Sequence, residues 1–326
     1  MPRLAVLSNA ASGGNAHGRW ALWSAAGPHL DRALTHHVDA LPAALERLLE
    51  AAPDVLAIDG GDGTLQSLLT HCLRHDLLHQ LPPLAVLPGG TTNACALDLS
   101  ATGRFGRARR AFLALQTLPL EAWPLHERPT LLIDARDARY CGLFFGAGDV
   151  VRGVELWRAT LRETAWAGTI GVANAVARTA IGIARRQPPF DAPTSVSLSL
   201  DGAAPSTLQL SALMVTSLER LMLRMRPMWG DGSGPLACTW LDARPPRLLR
   251  TLPLALWGAG ARLGPDDGYG STRGARVDLV LDEPWLLDGE VVQETGALAI
   301  TASAPLRFVR LGEVPLPLLG RDGVAR

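Results

Sequence analysis

The sequence contains no lysine: all 31 basic residues among its 326 are arginines. This absence excludes chemistries that depend on an ε-ammonium group. A Walker A loop needs a lysine for the β- and γ-phosphates, a protein kinase needs its strand lysine, and a Schiff-base enzyme needs an amine nucleophile. None of these three classes fits the chain.

Net charge is also absent, because 31 acidic residues balance the arginines. Nucleic-acid-binding proteins usually carry an excess of positive charge, so we expect no nucleic-acid partner. Hydrophobic residues make up 48% of the chain and the mean hydropathy is +0.14. This composition can build a sizeable core, and at this length we expect about two domains.

Cysteines are few and show no C-x-x-C pair: Cys72, Cys95, Cys141 and Cys238. We therefore expect reduced core thiols rather than a disulfide framework or a thiolate zinc site. The apolar run at the N-terminus is too short for a signal peptide, and the weakly polar stretch at 166–183 contains Asn174 and Arg178. Both observations favour a cytoplasmic protein without a membrane span.

Short apolar runs alternate with helical patterns over the first 118 residues. Runs such as Arg3–Ser8, Val55–Asp59 and Pro83–Pro88 are apolar without alternation, which is typical of buried strands in a parallel α/β sheet. We predict a parallel α/β domain over 1–122, which residues 312–326 could complete.

Beyond about Pro119 the pattern changes to alternating segments separated by Gly, Pro and Asp turns, such as SVSLSLDG and ARVDLVLD. This alternation predicts antiparallel strands of a β-sandwich. We place this second domain at 123–311, with a helical insertion at about 154–186.

The most informative motif is GGDGT, Gly60 to Thr64, which lies between an apolar strand and an amphipathic helix. Ligands of α/β proteins bind at this end of a parallel strand. Glycines let the backbone approach a polyphosphate, and the helix N-terminus offers free N–H groups. Asp62 would then hold the accompanying magnesium ion. The alternative is a glycine-rich turn that only caps the helix.

Two similar loops follow other strands. PGGTTN (Pro88–Asn93) opens the helix after the next strand, and SNAASGG (Ser8–Gly14) follows the first strand. Neighbouring strands would bring these loops together, so Thr92 and Asn93 could contact a nucleotide and Ser12 could complete the rim. Each loop by itself is also compatible with an ordinary capped turn.

Together these motifs resemble the diacylglycerol kinase catalytic-domain family, which includes bacterial lipid kinases and sphingosine kinases. The resemblance rests on SNAASGG at 8–14, GGDGT at 60–64, LPGGTTNACAL at 87–97 and LDGE at 287–290. It implies a first domain similar to NAD kinases and phosphofructokinases, with a β-sandwich second domain. It also implies transfer of the γ-phosphoryl group of ATP, with Mg²⁺, to a lipid hydroxyl such as that of diacylglycerol.

The resemblance also implies roles for individual residues. It makes Asp288 the general base and Asp62 a catalytic residue that binds the metal. The residues expected to bind the nucleotide come from all four motifs: Asn9, Ser12, Gly13, Gly60, Gly61, Asp62, Gly63, Thr64, Gly90, Thr91, Asn93, Gly289 and Glu290. A turn is the alternative for Asp288, because Asp-Gly between strands is a common hairpin signal.

The sequence departs from the family pattern at three points: Ala94 replaces an aspartate, Ala10 replaces a proline, and a lysine downstream of the first loop is missing. Two other functions therefore stay open. One is an NAD kinase or other small-molecule kinase of the same superfamily, and the other is a catalytically silent regulator that binds lipid or nucleotide.

A lipid kinase takes its acceptor from a bilayer, and the helical region at 154–186 has a suitable composition. It combines large apolar residues with arginines: Trp157, Trp166, Ile170, Arg158, Arg162, Arg178, Arg185 and Arg186. A peripheral contact with the inner face of the membrane is one expectation. A helical hairpin packed on the sandwich with a solvated basic face is the other.

Overall fold

The computed structural model describes residues 1–16, 18–26, 30–163, 169–258 and 260–316. The elements up to residue 128 are β1 (Leu4–Asn9), β2 (Leu30–Thr35), α1 (Leu41–Glu50), β3 (Val55–Gly60), α2 (Asp62–Arg74), β4 (Leu84–Pro88), α3 (Ala94–Leu99), α4 (Phe105–Ala114) and β5 (Leu125–Arg128). The later elements are β6 (Leu131–Asp134), β7 (Arg139–Gly142), β8 (Phe144–Gly148), α5 (Asp149–Glu163), α6 (Thr169–Arg185), β9 (Thr194–Leu200), β10 (Ser206–Thr216), β11 (Leu236–Asp242), α7 (Leu248–Leu256), β12 (Tyr269–Gly274), β13 (Arg276–Leu281), β14 (Trp285–Leu287), β15 (Glu290–Val292), β16 (Gly296–Ala302) and β17 (Leu306–Val309). Short 3₁₀ helices occur at Arg19–Ala26, Val38–Ala40, Leu78–Gln80, Leu115–Thr117, Leu120–Ala122, Met222–Arg224, Gly260–Arg262 and Pro265–Asp267.

The chain divides into two compact units. The first contains Met1–Leu68, Leu78–Arg128 and the chain from Leu306 onward, and the second contains Leu69–Leu77 and Pro129–Pro305. The chain returns to the first unit because β17 pairs with β4 and β5.

The first unit is built on a mostly parallel sheet. Its strand order is β2-β1-β3-β4-β17-β5 in the described chain, and only the β17–β5 pair is antiparallel. Every residue of β1, β3 and β4 is buried, which is the pattern expected of strands covered on both faces. The predicted parallel α/β fold is confirmed, and the carboxyl ends of β1, β3 and β4 lie side by side.

Aromatic packing fixes one face of this sheet. Trp23 stacks edge-on against Phe105 and Phe112 of α4, with ring centroids 6.2 and 5.9 Å away. Edge-to-face pairs of this kind add stabilisation beyond the area they bury. They hold the 3₁₀ helix Arg19–Ala26, which follows the first glycine-rich loop, against α4.

The second unit is an antiparallel β structure. Its described strands form one eleven-stranded sheet, in which the long strand β10 pairs with β8, β9 and β11. Strands distant in the sheet order, such as β6 and β14, contribute to one core around Phe145 and Trp285. The sheet therefore curves around its own core as a half-barrel, which confirms the predicted antiparallel β fold.

The predicted helical insertion corresponds to α5 and α6, which lie between β8 and β9. Trp166 lies outside the described residues, and so do the side chains of Arg162 and Ile170. In the described part of the chain no helix has the length and apolar character needed to cross a membrane.

The four cysteines are buried and form no disulfide.

Candidate nucleotide-binding loops and the Asp288 turn

Three loops meet at the carboxyl edge of the first unit's sheet: the SNAASGG loop (8–14) after β1, the GGDGT loop (60–64) after β3 and the GGTTN loop (89–93) after β4. The Thr64 hydroxyl joins the first two loops. It accepts a hydrogen bond from Asn9 Nδ2 at 3.0 Å and lies 3.2 Å from Ser12 Oγ. Ser12 Oγ in turn accepts the Gly61 N–H at 3.2 Å. The structure thus brings together residues that the sequence analysis selected separately.

Several glycines of these loops are required for the loops to pack on one another. A Cβ atom on Gly90 would lie 2.5 Å from Gly61 Cα, and one on Gly13 would lie 2.6 Å from Thr91 Oγ1. A Cβ atom on Gly60 would lie 2.6 Å from the Thr64 side chain. The sequence analysis assigned the glycines to the approach of a phosphate, and the structure adds close packing between loops as a second reason for them.

Asp62 caps the neighbouring helix α3. Its Oδ2 accepts hydrogen bonds from Thr92 Oγ1 at 2.8 Å and from the Ala94 N–H at 3.0 Å, and its Oδ1 accepts the Cys95 N–H at 3.0 Å. A carboxylate at this position satisfies orphan N–H groups and interacts favourably with the helix dipole. Asp62 therefore ties the GGDGT loop to the segment that follows the GGTTN loop.

The three loops contain a single carboxylate, that of Asp62, as a possible ligand of a magnesium ion. No group of three or more His, Cys, Asp or Glu side chains that could hold a metal ion occurs in the residues described. Magnesium commonly takes one or two carboxylates and fills its other positions with water and substrate phosphates. An ionised carboxylate has about four lone-pair sites, and Asp62 uses three. The loops fit a metal ion that arrives with a nucleotide, rather than a resident ion.

Asn93 has a local structural task. Its backbone is left-handed, with φ +51°. Its Oδ1 accepts the Gly90 N–H at 2.7 Å, and its Nδ2 donates to the Gly90 carbonyl at 2.9 Å. The side chain therefore closes the GGTTN loop, while Thr91, Gly13 and Ala11 stand exposed at the rim.

The sequence analysis missed the polar centre beneath the loops. Asp59 is fully buried, and its carboxylate accepts hydrogen bonds from Ser8 Oγ at 3.0 Å, Trp23 Nε1 at 2.7 Å and Asn15 Nδ2 at 3.1 Å. Asn15 Nδ2 also contacts the Asn9 carbonyl at 3.1 Å. Asp59 thus fixes the starts of two loops. The available signal was a charged residue at the end of the otherwise apolar run VLAID.

Arg19 is a second residue that the sequence analysis did not select. Its Nη2 donates to the Pro88 carbonyl at 2.9 Å, and its guanidinium lies 4.0 Å from the centroid of the Phe105 ring. Burial lowers the pKa of Arg19, while the nearby Asp59 charge opposes that shift. Arg19 therefore connects the region after the SNAASGG loop with the start of the GGTTN loop.

In the second unit, Asp288 occupies a two-residue hairpin turn between β14 and β15. Its φ is +47° and that of Gly289 is +92°, so both lie in the left-handed region that such turns require. The carboxylate is buried and accepts the Leu143 N–H at 3.0 Å and the Phe144 N–H at 2.9 Å. Asp288 is thus both a turn residue and a buried, hydrogen-bonded carboxylate.

Gly289 and Glu290 of the LDGE motif contact Arg158 of α5. Arg158 donates to the Gly289 carbonyl at 2.6 Å and forms an ion pair with Glu290 at 2.8 Å. A contact with lipid headgroups was one of the two expectations for Arg158 and its neighbours, and in the structure Arg158 holds the Asp288 turn. Near the start of the same helix, Asp149 is buried and forms an ion pair with Arg152 at 2.8 Å. Desolvation is the largest influence on Asp149 and raises its pKa, although Arg152 opposes the shift.

Comparisons with known proteins agree with this fold. A crystal structure of a "putative diacylglycerol kinase" from Bacillus anthracis str. Sterne is 16% identical at a TM-score of 0.65, over 94% of this chain and 95% of that chain. A structure of a diacylglycerol kinase from the same organism is 14% identical at a TM-score of 0.58, over 94% and 95%. An NAD kinase from Archaeoglobus fulgidus is 13% identical at a TM-score of 0.44, over 94% and 92%.

A search of curated proteins found no match. At 14–16% identity, the two Bacillus anthracis structures establish the fold alone. The family comparison is more specific, because residues 3–122 match the model of the diacylglycerol kinase catalytic domain. This match spans all three loops, and it confirms the resemblance of this chain to the diacylglycerol kinase catalytic-domain family.

Proposed function

We propose that the protein is an ATP- and magnesium-dependent lipid kinase, which transfers the γ-phosphoryl group to the hydroxyl of diacylglycerol or a related lipid. The observation that carries this proposal is the meeting of the three glycine-containing loops at the N-terminus of α2, inside the segment that matches the kinase domain. The match supports a kinase of this superfamily, and the lipid acceptor and the nucleotide are our extension of it.

The chain offers a phosphate site made largely of backbone groups. The first N–H groups of an α-helix have no partner within the helix, and the helix dipole makes this end attractive to anions. In α2 the first two N–H groups, those of Asp62 and Gly63, belong to the GGDGT loop, whereas the Thr64 N–H donates to the Gly61 carbonyl at 3.0 Å. Ser12 and Thr64 add hydroxyl groups at the same edge. Phosphoryl transfer depends mainly on positioning and charge neutralisation, so a site without lysine is physically adequate.

Asp62 is the residue that would hold magnesium, and a bound magnesium ion would neutralise charge on the phosphates. The other side chains hold the loops in position or face the nucleotide. Asn93 shapes the GGTTN loop through Gly90, and Asp62 keeps this loop joined to the GGDGT loop. In the proposal, Asn9, Ser12 and Thr91 face the nucleotide.

Asp288 is proposed as the general base. As the acceptor oxygen forms its bond to the γ-phosphorus, the bond from phosphorus to the ADP oxygen breaks. The hydroxyl proton passes to an oxygen of the Asp288 carboxylate. The N–H groups of Leu143 and Phe144 hold that carboxylate in place. We propose action in the cytoplasm at the inner face of the membrane, where the acceptor lipid resides.

Transfer of labelled γ-phosphate from ATP and magnesium to a total lipid extract in mixed micelles tests this function. The variants are Asp288→Asn and, as a matched control, Asp201→Asn, which changes an Asp-Gly turn of similar geometry elsewhere in the second unit. A labelled lipid that is formed by the wild type and the control, and lost in Asp288→Asn, supports the proposal and identifies the acceptor.

Two other results would replace the proposal. If NAD or another small molecule is phosphorylated and lipid is not, the protein is a small-molecule kinase of the same superfamily. ATP binding without transfer to any acceptor would favour a silent regulator.

A further inference from the structure

Helix α7 of the second unit has two different faces. Leu248, Thr251 and Ala255 are buried, and Leu248 and Ala255 belong to a small core that includes Leu241 and Tyr269. Leu252 and Leu256 are partly buried. The exposed residues of the helix, together with its C-cap Trp257, form the α7 face: Leu249, Arg250, Pro253, Leu254 and Trp257. Positions 249, 253 and 257 follow the four-residue spacing of one helix stripe, and positions 250 and 254 lie beside it.

The α7 face presents large apolar side chains to solvent. The exposed fractions are 55% for Leu249, 52% for Trp257 and 40% for Leu254. Single exposed apolar residues are common on protein surfaces, but a cluster on one helix face often marks an interaction site. The Trp257 indole N–H donates to the Leu223 carbonyl at 3.2 Å. This bond holds an edge of the ring while half of the side chain remains accessible.

Arginines surround this apolar cluster. Arg247 and Arg250 belong to α7 or its N-terminal cap, and Arg262 lies in the next 3₁₀ helix. Arg224 and Arg226 come from a segment held against the end of α7, since the Arg226 N–H donates to the Leu256 carbonyl at 2.6 Å. All five are exposed. The sequence has no acidic residue between Asp242 and Asp266.

We propose that the α7 face docks on an anionic lipid bilayer. Trp and Leu on one face with arginines at its margin are the composition of interfacial helices, which place apolar groups at the headgroup boundary and basic groups beside anionic lipids. This surface is separate from the Asp288 turn, and it differs from the region of α5 and α6 that the sequence analysis considered.

The size of the cluster favours a bilayer over a second copy of the chain. The exposed parts of Leu249, Leu254 and Trp257 amount to about 300 Å², taking ~150–250 Å² for a whole aromatic side chain. A stable protein interface buries roughly 800 Å² on each partner. Shallow insertion into headgroups needs less apolar area, because the surrounding arginines contribute attraction to anionic lipid.

Co-sedimentation with vesicles tests the docking surface. The full chain is mixed with phosphatidylcholine vesicles that contain or lack phosphatidylglycerol, without ATP or an acceptor. The variants are Leu249→Glu combined with Leu254→Glu, and Arg250→Gln combined with Arg262→Gln. Val280→Glu is the matched control, because Val280 is 47% exposed on β13 of the same unit. A thermal melt of each variant verifies folding.

We expect the wild type and Val280→Glu to bind anionic vesicles and to bind neutral vesicles much more weakly. The partition coefficient of the leucine variant into anionic vesicles should be at least tenfold lower than that of the wild type. The partition coefficient of the arginine variant should be about 25-fold lower, since each arginine near an anionic surface strengthens binding about fivefold. Higher salt should weaken wild-type binding.

The proposal would be overturned if the folded leucine variant bound anionic vesicles as strongly as the wild type, if the wild type bound both vesicle types equally, or if Val280→Glu lost as much binding as the leucine variant. A dimer of the wild type that dissociates in the leucine variant, without vesicle binding, would identify a second copy of the chain as the occupant. Vesicle binding requires no catalysis, so this test can fail while the proposed kinase activity stands, and the reverse also holds.

Discussion

Asp62 can be tested separately as a helix cap and as a metal ligand. In the structure, the Asp62 carboxylate accepts two backbone N–H groups at the start of α3 and the Thr92 hydroxyl. Each of these contacts joins two groups of the chain itself, so its contribution to stability requires neither nucleotide nor metal. If they are important, the Asp62→Asn variant should be less stable than the wild type in the complete absence of both.

The size of this effect follows from the contacts. Asparagine keeps one acceptor oxygen and replaces the other with an NH₂ group that faces hydrogen-bond donors. The lost cap costs about 1 kcal/mol, and the lost charge at the helix N-terminus costs a further ~0.3–1 kcal/mol. We therefore expect a loss of about 2 kcal/mol in the free energy of unfolding. For a unit of this size, the melting temperature should fall by about 6 °C.

The assay is thermal and urea unfolding in EDTA, with two reference variants. Thr92→Ala removes only the hydroxyl donor and should cost about 1 kcal/mol. Asp54→Asn changes an exposed carboxylate of the same unit that accepts the Arg3 N–H, and it should cost no more than ~0.5 kcal/mol.

Magnesium distinguishes the two roles in the activity assay. If Asp62 mainly joins the loops, excess magnesium should not restore the activity of Asp62→Asn, and the KM for ATP should rise. An unchanged melt in EDTA, together with full recovery of activity at high magnesium, would refute the capping argument and leave Asp62 as a metal ligand alone.

Three further predictions concern Asp59, Gly90 and the two tyrosines. Asp59→Ala removes the acceptor of three buried side-chain donors, so urea unfolding should show a loss of about 3 kcal/mol or more. Gly90→Ala places a Cβ atom 2.5 Å from Gly61 Cα and should cost about 1–3 kcal/mol, together with weaker ATP binding by calorimetry. Burial, followed by the Glu294 hydrogen bond, raises the pKa of Tyr140 to about 12, and burial also raises the pKa of Tyr269. Because the pKa of Tyr140 in the folded protein is about 12, above the ordinary 10.0, protonated Tyr140 contributes stability that is fully present below pH 10 and is lost as the pH rises toward 12. The raised pKa of Tyr269 acts with the same sign. Ultraviolet titration of the native protein should therefore show Tyr140 protonated near pH 10 and Tyr269 less ionised there than an ordinary tyrosine, and half-ionisation of both tyrosines at pH 10 would contradict the prediction.

Local patterns were sufficient to predict the loops. Each loop follows a run of apolar residues without alternation, and such a run identifies a buried parallel strand. Once β1, β3 and β4 are neighbours, their carboxyl ends must share an edge, so the three loops meet. The curvature of the second unit's sheet could not be predicted in this way, since it depends on packing between strands that are distant in the sequence.

Asp59 and Asn15 show what local patterns miss. An aspartate after an apolar strand is also typical of a turn, and its burial becomes apparent only when its partners are known. Those partners are 36 to 51 residues away in the sequence. The register that places Ser8 opposite Asp59 is a property of the folded sheet. The same limit applies to Arg158, whose partner Glu290 is 132 residues away.

Turn propensity alone does not distinguish the Asp288 turn from the turn at Asp201, and the sequence analysis selected Asp288 only through the family resemblance of the LDGE motif. Both aspartates precede glycine and have left-handed backbones, with φ +47° and +49°. The carboxylate of Asp201 accepts the N–H groups of Ala275 and Arg276, just as that of Asp288 accepts two successive N–H groups. The difference lies in burial, because Asp201 is exposed and Asp288 is 7% exposed.

Burial therefore predicts how the two matched substitutions should differ. Water can replace the lost acceptor at Asp201, so Asp201→Asn should cost less than ~1 kcal/mol in the free energy of unfolding. Asp288→Asn leaves a buried N–H group without an acceptor, which costs about 1–3 kcal/mol. Loss of a general base would lower kcat by about 10²–10⁴-fold, far more than this destabilisation can explain in a variant that remains folded. A folded Asp288→Asn variant with the kcat of Asp201→Asn would therefore show that the Asp288 carboxylate serves only its turn.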